Sequence, residues 1–229
     1  MDIEIPKRFI NKAVAEYEAE VKKKKTFSAS GPKKIITISR QLGSGGRKIA
    51  EAVGEKLGCR VWGREILDVL ASQSGGDYTA RMFEALDEKT QNAVDSLVSD
   101  FFGQVAKHTY LHLLPKAIFV IAQSDAVIVG RGAQLLLPNS FRVRIKASFE
   151  ARVNNMMQFE NLDRKTAVER IKTSDKQREA FMKELAKKLG IKDYHDEFDL
   201  GINGERFSID DAATVIINAF RIFQKQKTK

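Results

Sequence analysis

The chain has 229 residues, a formal net charge of +9, and 43% hydrophobic and 30% charged residues, enough apolar material for one sizeable domain with a buried core. No apolar run reaches the roughly 18–20 residues of a membrane span, and the opening stretch MDIEIPKRF lacks the apolar segment of a signal peptide. A single cysteine, Cys59, excludes an internal disulfide and any multi-cysteine metal site, so the expected setting is reducing and cytoplasmic.

The positive charge admits two partners, nucleic acid or phosphorylated small molecules. The basic residues are spread widely. Only Lys22–Lys25 form a block, and no aromatics interleave with it. That pattern argues against nucleic acid and for phosphate-bearing ligands.

Residues 1–32 come first. Ile5, Phe9, Ile10, Ala13, Val14 and Tyr17 fall on one helical face, and Lys22–Lys25 with Ser28–Gly31 read as a solvated linker. The expectation is a helical arm that docks on the domain or on a second copy of the chain, giving a homodimer.

Residues 33–58 read KKIITISRQLGSGGRKIAEAVGEKLG. Ile35–Ile38 form a β-branched run, the length of a buried strand. Gly43, Ser44, Gly45 and Gly46 follow as a tight turn. Ile49, Ala50, Val53 and Leu57 then repeat at helical spacing, with Gly58 placed as a C-cap. Strand, glycine loop and helix are the setting of a phosphate-binding loop, where backbone N–H groups and the helix N-terminus attract anions. Against the pattern G-x-x-x-x-G-K-[ST], Arg40 stands for the first glycine, Gly46 for the lysine and Arg47 for the metal-binding hydroxyl. Arg40, Arg47 and Lys48 are the nearby cations that can replace the lysine's charge. The alternative is a tight turn in some other α/β protein.

Cys59–Trp62 reads as a second short strand. Arg64 follows at a strand's C-terminal end, the edge where open α/β sheets bind ligands. Residues 77–123 show no strand pattern and read as a helical insertion, with Pro115 opening a helix through Ile118, Phe119 and Ile121. His108 and His112, at i and i+4, lack an evident third ligand. Glu84, Asp87 and Glu88 read as a helix surface.

Val127–Val129 is a buried strand ended by Gly130-Arg131-Gly132, with Arg131 again at a strand's C-terminal edge. A strand over Arg142–Lys146 and a helix carrying Glu150 and Arg152 follow. Asn161–Arg178 is densely charged, either a solvated helix face or a mobile cationic lid. The helix continues through Phe181, Leu185 and Leu189 to Gly190. Phe198–Asn203 reads as the last strand, and Ser208 caps the last helix.

In this order the chain resembles the cytidylate kinase-like family, within the P-loop nucleoside monophosphate kinases. The resemblance covers about residues 34–222. It rests on Ile38-Ser39-Arg40-Gln41 with Gly43-Ser44-Gly45-Gly46, on Arg64-Glu65-Ile66-Leu67, and on Val127-Ile128-Val129-Gly130-Arg131-Gly132. Asp175 with Arg178, and Phe198-Asp199-Leu200 with Asn203, complete it.

The resemblance implies an α/β fold, a five-stranded parallel sheet flanked by helices, with the arm at 1–32 and the kinase domain at 33–229. Within that domain it implies a helical acceptor-binding insertion at 64–123 and a lid at 160–180. It implies phosphoryl transfer from ATP, with Mg²⁺, to CMP or dCMP. The 43–46 backbone, aided by Arg40, Arg47 and Lys48, would cradle the ATP phosphates, and Asn203 would lie near the adenine. Arg64 and Arg131 would hold the acceptor's phosphate. Arg178, braced by Asp175, would close on the transferring group, with Arg152 and Arg170 as further lid cations. The chain departs from the family pattern at Trp62-Gly63 in place of Tyr-Asp, at Val129 and Gly132 in place of two aspartates, and at Ile171 in place of a lid arginine. A nucleotide-binding regulatory or assembly protein, or a kinase of another small acceptor, is the alternative reading.

Overall fold

The structure is a computed structural model of the chain. It describes residues 15, 33–71, 76–84, 86, 88, 91–92, 94, 110–195 and 198–227. The amphipathic face expected in the arm, the Lys22–Lys25 block, Asp87 and His108 lie outside them.

The strands are β1 (Ile35–Arg40), β2 (Arg60–Trp62), β3 (Ala126–Val129), β4 (Phe141–Lys146) and β5 (Leu200–Asn203). They form one sheet in the order β2-β3-β1-β4-β5. β1 runs parallel to β3 and β4, and β4 runs parallel to β5. The helices are α1 (Gly46–Leu57), α2 (Arg64–Ala71), α3 (Gly76–Glu84), α4 (Tyr110–Ile121), α5 (Ala133–Leu136), α6 (Phe149–Glu160), α7 (Arg164–Lys188) and α8 (Ile209–Lys227). This is the α/β architecture the sequence predicts. Parallel strands need long crossovers, and helices supply them.

The chain divides into two compact units, one of Ile35–Val61 with Ala126–Lys229, the other including Lys33–Lys34 and Trp62–Asp125. In the first, strand alternation decides which side chains meet. Ile36, Ile38, Val127, Val129, Phe141, Val143 and Ile145 turn to one side and are buried with Ile49, Ala50 and Val53 of α1 and Ala212, Ile216 and Phe220 of α8. Burying each Val, Ile or Phe side chain among them contributes about 1.5–3 kcal/mol. The opposite face of β1 and β4 is polar. There Thr37 and Ser140 hydroxyls lie 3.1 Å apart, and Arg144 donates to Ser39 Oγ at 2.6 Å. α1 stops at Gly58, which takes φ 63° and caps the helix through its own N–H. α8 starts where Ser208 Oγ accepts from the Asp211 N–H at 3.1 Å.

In the second unit Leu67, Leu70, Met82, Leu114 and Ile118 are fully or almost fully buried. The Thr79 hydroxyl ties α3 to the Leu70 carbonyl of α2 at 2.9 Å. Lys116 Nζ of α4 sits 3.8 Å from the centre of the Phe83 ring. Pro115 does not open the helix as the sequence reading has it: α4 already runs from Tyr110 and carries Pro115 in its interior. A proline there lacks the N–H that would bond the carbonyl four residues back. Burial of Leu113, Leu114, Ala117, Ile118, Val120 and Ile121 along the helix outweighs that loss.

Candidate active site

The glycine loop joins β1 to α1 at the carboxyl end of the sheet. It opens with the Gln41 N–H bonded to the Ile145 carbonyl at 3.2 Å, and the Ser44 hydroxyl bonds back to the Gln41 carbonyl at 2.8 Å. Ser44 is therefore buried and spent on the loop itself. Gly43 and Gly45 take φ 79° and 75°, a region closed to most side chains. Gly45 is the N-cap of α1, and no side chain caps it. A Cβ built on Gly45 meets nothing within 4 Å, so the space before the helix N-terminus is open. The first-turn N–H groups of a helix have no intrahelical acceptor and carry partial positive charge. Open space and a helix dipole are what phosphate oxygens require.

Two elements clamp this loop from behind. Arg152 of α6, 3% exposed, donates from Nε to the Leu42 carbonyl at 2.7 Å. Its Nη2 reaches both Asp175 oxygens, at 2.7 and 2.9 Å. Asn155 donates to the Gly43 carbonyl at 2.8 Å, and a Cβ on Gly43 would come 2.6 Å from the Arg152 carbonyl oxygen. On the other side Gly204, directly after Asn203, presses on the loop: a Cβ there would sit 2.2 Å from the Ser44 carbonyl oxygen. Asn203 itself is exposed, and its side chain accepts the Glu205 N–H at 3.1 Å. Asn155 and Gly204 escaped sequence reasoning. Only Gly204's place after the last strand offered a signal.

The sequence reading pairs Asp175 with Arg178. The structure instead gives both Asp175 oxygens to Arg152, and Arg178 donates from Nη1 to the Arg40 carbonyl. Arg152 is thus a buried brace. Arg170 pairs with Glu160 at 2.9 Å on the exposed side of the α6–α7 pair. Arg47 lies 3.1 Å from Glu51 one turn on, exposed, and Lys48 sits 4.0 Å from the Phe159 ring centre.

Gly130, Arg131 and Gly132 follow β3, the neighbour of β1. All three take positive φ, at 85°, 52° and 67°. For the glycines this costs little; for Arg131 it costs about 1–2 kcal/mol. A strained arginine at the carboxyl edge, beside the glycine loop, is a functional candidate on that ground. Its guanidinium lies 5.6 Å from the centre of the Phe181 ring of α7, within reach of a cation–π contact. Gly132 faces the same helix, and a Cβ on it would come 2.2 Å from Leu185 Cδ2.

Arg144, on the polar face of β4, completes the first unit's charge. Burial pulls its guanidinium pKa below the usual value, opposed by Glu179 and then Asp175, with Arg152 lowering it further. Its Nε is buried without a hydrogen-bond partner. Arg64 belongs to the second unit. Its Nε is buried, makes no hydrogen bond, and lies 4.0 Å from Asp68, at the outer limit of an ion pair. Among the described residues no group of three His, Cys, Asp or Glu gathers to hold a metal.

A parallel α/β sheet with a glycine loop and an arginine turn at its carboxyl edge defines a P-loop kinase type of fold. A family model described as the cytidylate kinase-like family matches residues 35–206, and the chain belongs to that family. A crystal structure of an uncharacterized protein from Eubacterium ventriosum is similar, with 22% identity, a TM-score of 0.56, and coverage of 82% of this chain and 99% of that one. Shikimate kinase from Bacteroides thetaiotaomicron matches at 12% identity and TM-score 0.42, covering 86% of this chain and 99% of that one. A sugar kinase from a Janibacter species matches at 15% and 0.42, covering 83% and 96%. No significant match was found among curated proteins. Among the described residues no helix is long and apolar enough to cross a membrane.

Proposed function

We propose that this chain transfers the terminal phosphoryl group of ATP to a nucleoside monophosphate, CMP or dCMP foremost. An oxygen of the acceptor's phosphate attacks the γ-phosphorus, the bond to the β–γ bridging oxygen breaks, and ADP leaves with the electron pair. The single observation that carries this is the left-handed Gly130-Arg131-Gly132 turn beside an open glycine loop. Family membership supports it.

Phosphoryl transfer asks little covalent chemistry of a protein, so positioning and charge are the terms to assign. Backbone amides of residues 43–46 hold the donor phosphates, with Arg47 and Lys48 adding charge at the loop. Arg131 holds the acceptor's phosphate, offering a fork of donors. Arg178, seated on the Arg40 carbonyl, ties the 160–180 lid to the donor loop. Residues 64–123 form the acceptor-binding part, and Asn203 lies on the base side. The described residues offer Mg²⁺ no carboxylate cluster, and Arg47 stands where a loop hydroxyl would be. No step is therefore routed through a protein-bound metal.

A second reading has one observation in its favour. Gly132 has no space for an acidic side chain, because Leu185 fills it. That suits a nucleotide binder without turnover. Thermal shift separates the two: ATP raises the melting temperature under both, and CMP added to ATP raises it further only for the kinase. No added protection by any nucleoside monophosphate would overturn the proposed acceptor class.

A further inference from the structure

Arg40, the residue at the first glycine's place in the loop, is interlocked with two glycines. A Cβ built on Gly46 would lie 2.6 Å from Arg40 Cβ and 3.0 Å from its Cγ. A Cβ built on Gly130 would lie 2.3 Å from Arg40 Nη1. The arginine's stem therefore lies along the first residue of α1, and its guanidinium is carried across to the turn after β3. Arg40 is held there without backbone strain, since among the described non-glycine residues only Arg131 and Asn161 take positive φ.

This interlock makes Arg40 and a lysine at 46 mutually exclusive. Real Cβ atoms do not approach within 3.0 Å of another heavy atom in this way. A lysine at 46 would have to displace the arginine's stem. The cation packed on the first residue of α1 therefore enters from β1 instead of from the helix.

Resting on the kinase reading above, we infer that Arg40 is the donor-phosphate cation of this enzyme, a relocated replacement for the missing loop lysine. Its guanidinium lies against Gly130, the residue before Arg131. There it meets the oxygens at the β–γ end of ATP, where charge shifts as the bridging bond breaks. A guanidinium grips two oxygens at once, which an ammonium does not. Gly46 has no room for a side chain because the arginine's stem lies on it, whereas Gly130 also needs glycine for its φ of 85°. A purely structural arginine, by contrast, would act through its stem alone.

Arg40→Gln separates the two roles, because it keeps stem atoms over Gly46 and removes the charge. In the 229-residue chain, ATP affinity by titration calorimetry is expected to fall about 10- to 100-fold, the scale of losing a charge-assisted bidentate contact. Arg221→Gln, an exposed residue of α8, removes the same net charge and should change affinity by less than about twofold. Wild-type binding with an undiminished Arg40→Gln overturns this inference and leaves the kinase reading standing. No ATP binding by the wild type overturns both. Should Arg40→Gln fail to fold, Arg40→Lys replaces it, with an expected loss of about three- to tenfold from the missing fork. Unchanged affinity in that variant overturns the inference equally.

Discussion

Arg152 holds Asp175 across the α6–α7 pair through both carboxylate oxygens while its Nε donates to Leu42 in the glycine loop. One buried guanidinium thus fixes the phosphate loop to the charged helix. The arginine is 4% exposed at its side chain and the aspartate 40%, so solvent screens one partner and not the other. Asp175→Ala should cost about 1–3 kcal/mol, and Arg152→Ala more, since it also strands the Leu42 carbonyl. A double-mutant cycle by denaturant unfolding should give coupling of at least about 1 kcal/mol. Additive effects would show that the pair does not couple loop and helix.

Gly132 is expected to tolerate no side chain. Gly132→Ala places a methyl on Leu185 and forces alanine into φ 67°. The expected loss is about 1–3 kcal/mol. Leu185→Ala in the same chain should remove the clash but not the strain, recovering only part of the penalty left by Gly132→Ala. Unchanged stability in Gly132→Ala would place α7 elsewhere.

Arg131→Gly should separate stability from function. Relief of the left-handed backbone is expected to add up to about 1 kcal/mol in unfolding experiments. Acceptor-dependent turnover should fall by more than about 100-fold, as the proposed acceptor-phosphate contact is lost. A variant both destabilised and active would remove Arg131 from the acceptor site.

Asp163 and Glu205 each tie a little stability to acid pH. The Thr166 hydroxyl and then its N–H hold the Asp163 carboxyl below its ordinary value. Hydrogen bonds from Ser148, side chain before backbone, do the same for Glu205. Each folded-state pKa is depressed, so the stabilisation is complete above the unfolded values near 3.8 and 4.5 and is lost as pH falls through the folded ones. Asp163→Asn should make the acid side of the stability profile shallower, read by denaturant unfolding at falling pH. An identical profile would show that the cap does not titrate with folding.

Element order was legible in the sequence because each element repeats its apolar residues at its own period. Ile36 and Ile38 alternate, and Ile49, Ala50 and Val53 recur by the turn. Gly43, Gly45 and the Gly130-Arg131-Gly132 stretch were legible as tight turns after strands, because glycine supplies the positive φ they need. What was not legible is tertiary. The resemblance braces Arg178 on Asp175, its near neighbour on the same helix. Asp175's partner Arg152 lies 23 positions away, and Arg152's own acceptor, Leu42, lies 110 away. The role of Arg40 was blurred for the same reason. Only the packing of Gly46 and Gly130 on its side chain separates it from Arg47 and Lys48. Pro115 misled because a start signal was read without the burial that carries the helix through it.

The most direct measurement is ADP formation from ATP and Mg²⁺ by the 229-residue chain against a panel of nucleoside monophosphates. The account expects ADP formation that depends on CMP or dCMP and is lost in Arg131→Ala while the fold persists. Silence across the panel with ATP still bound, or equal turnover in Arg131→Ala, would contradict it.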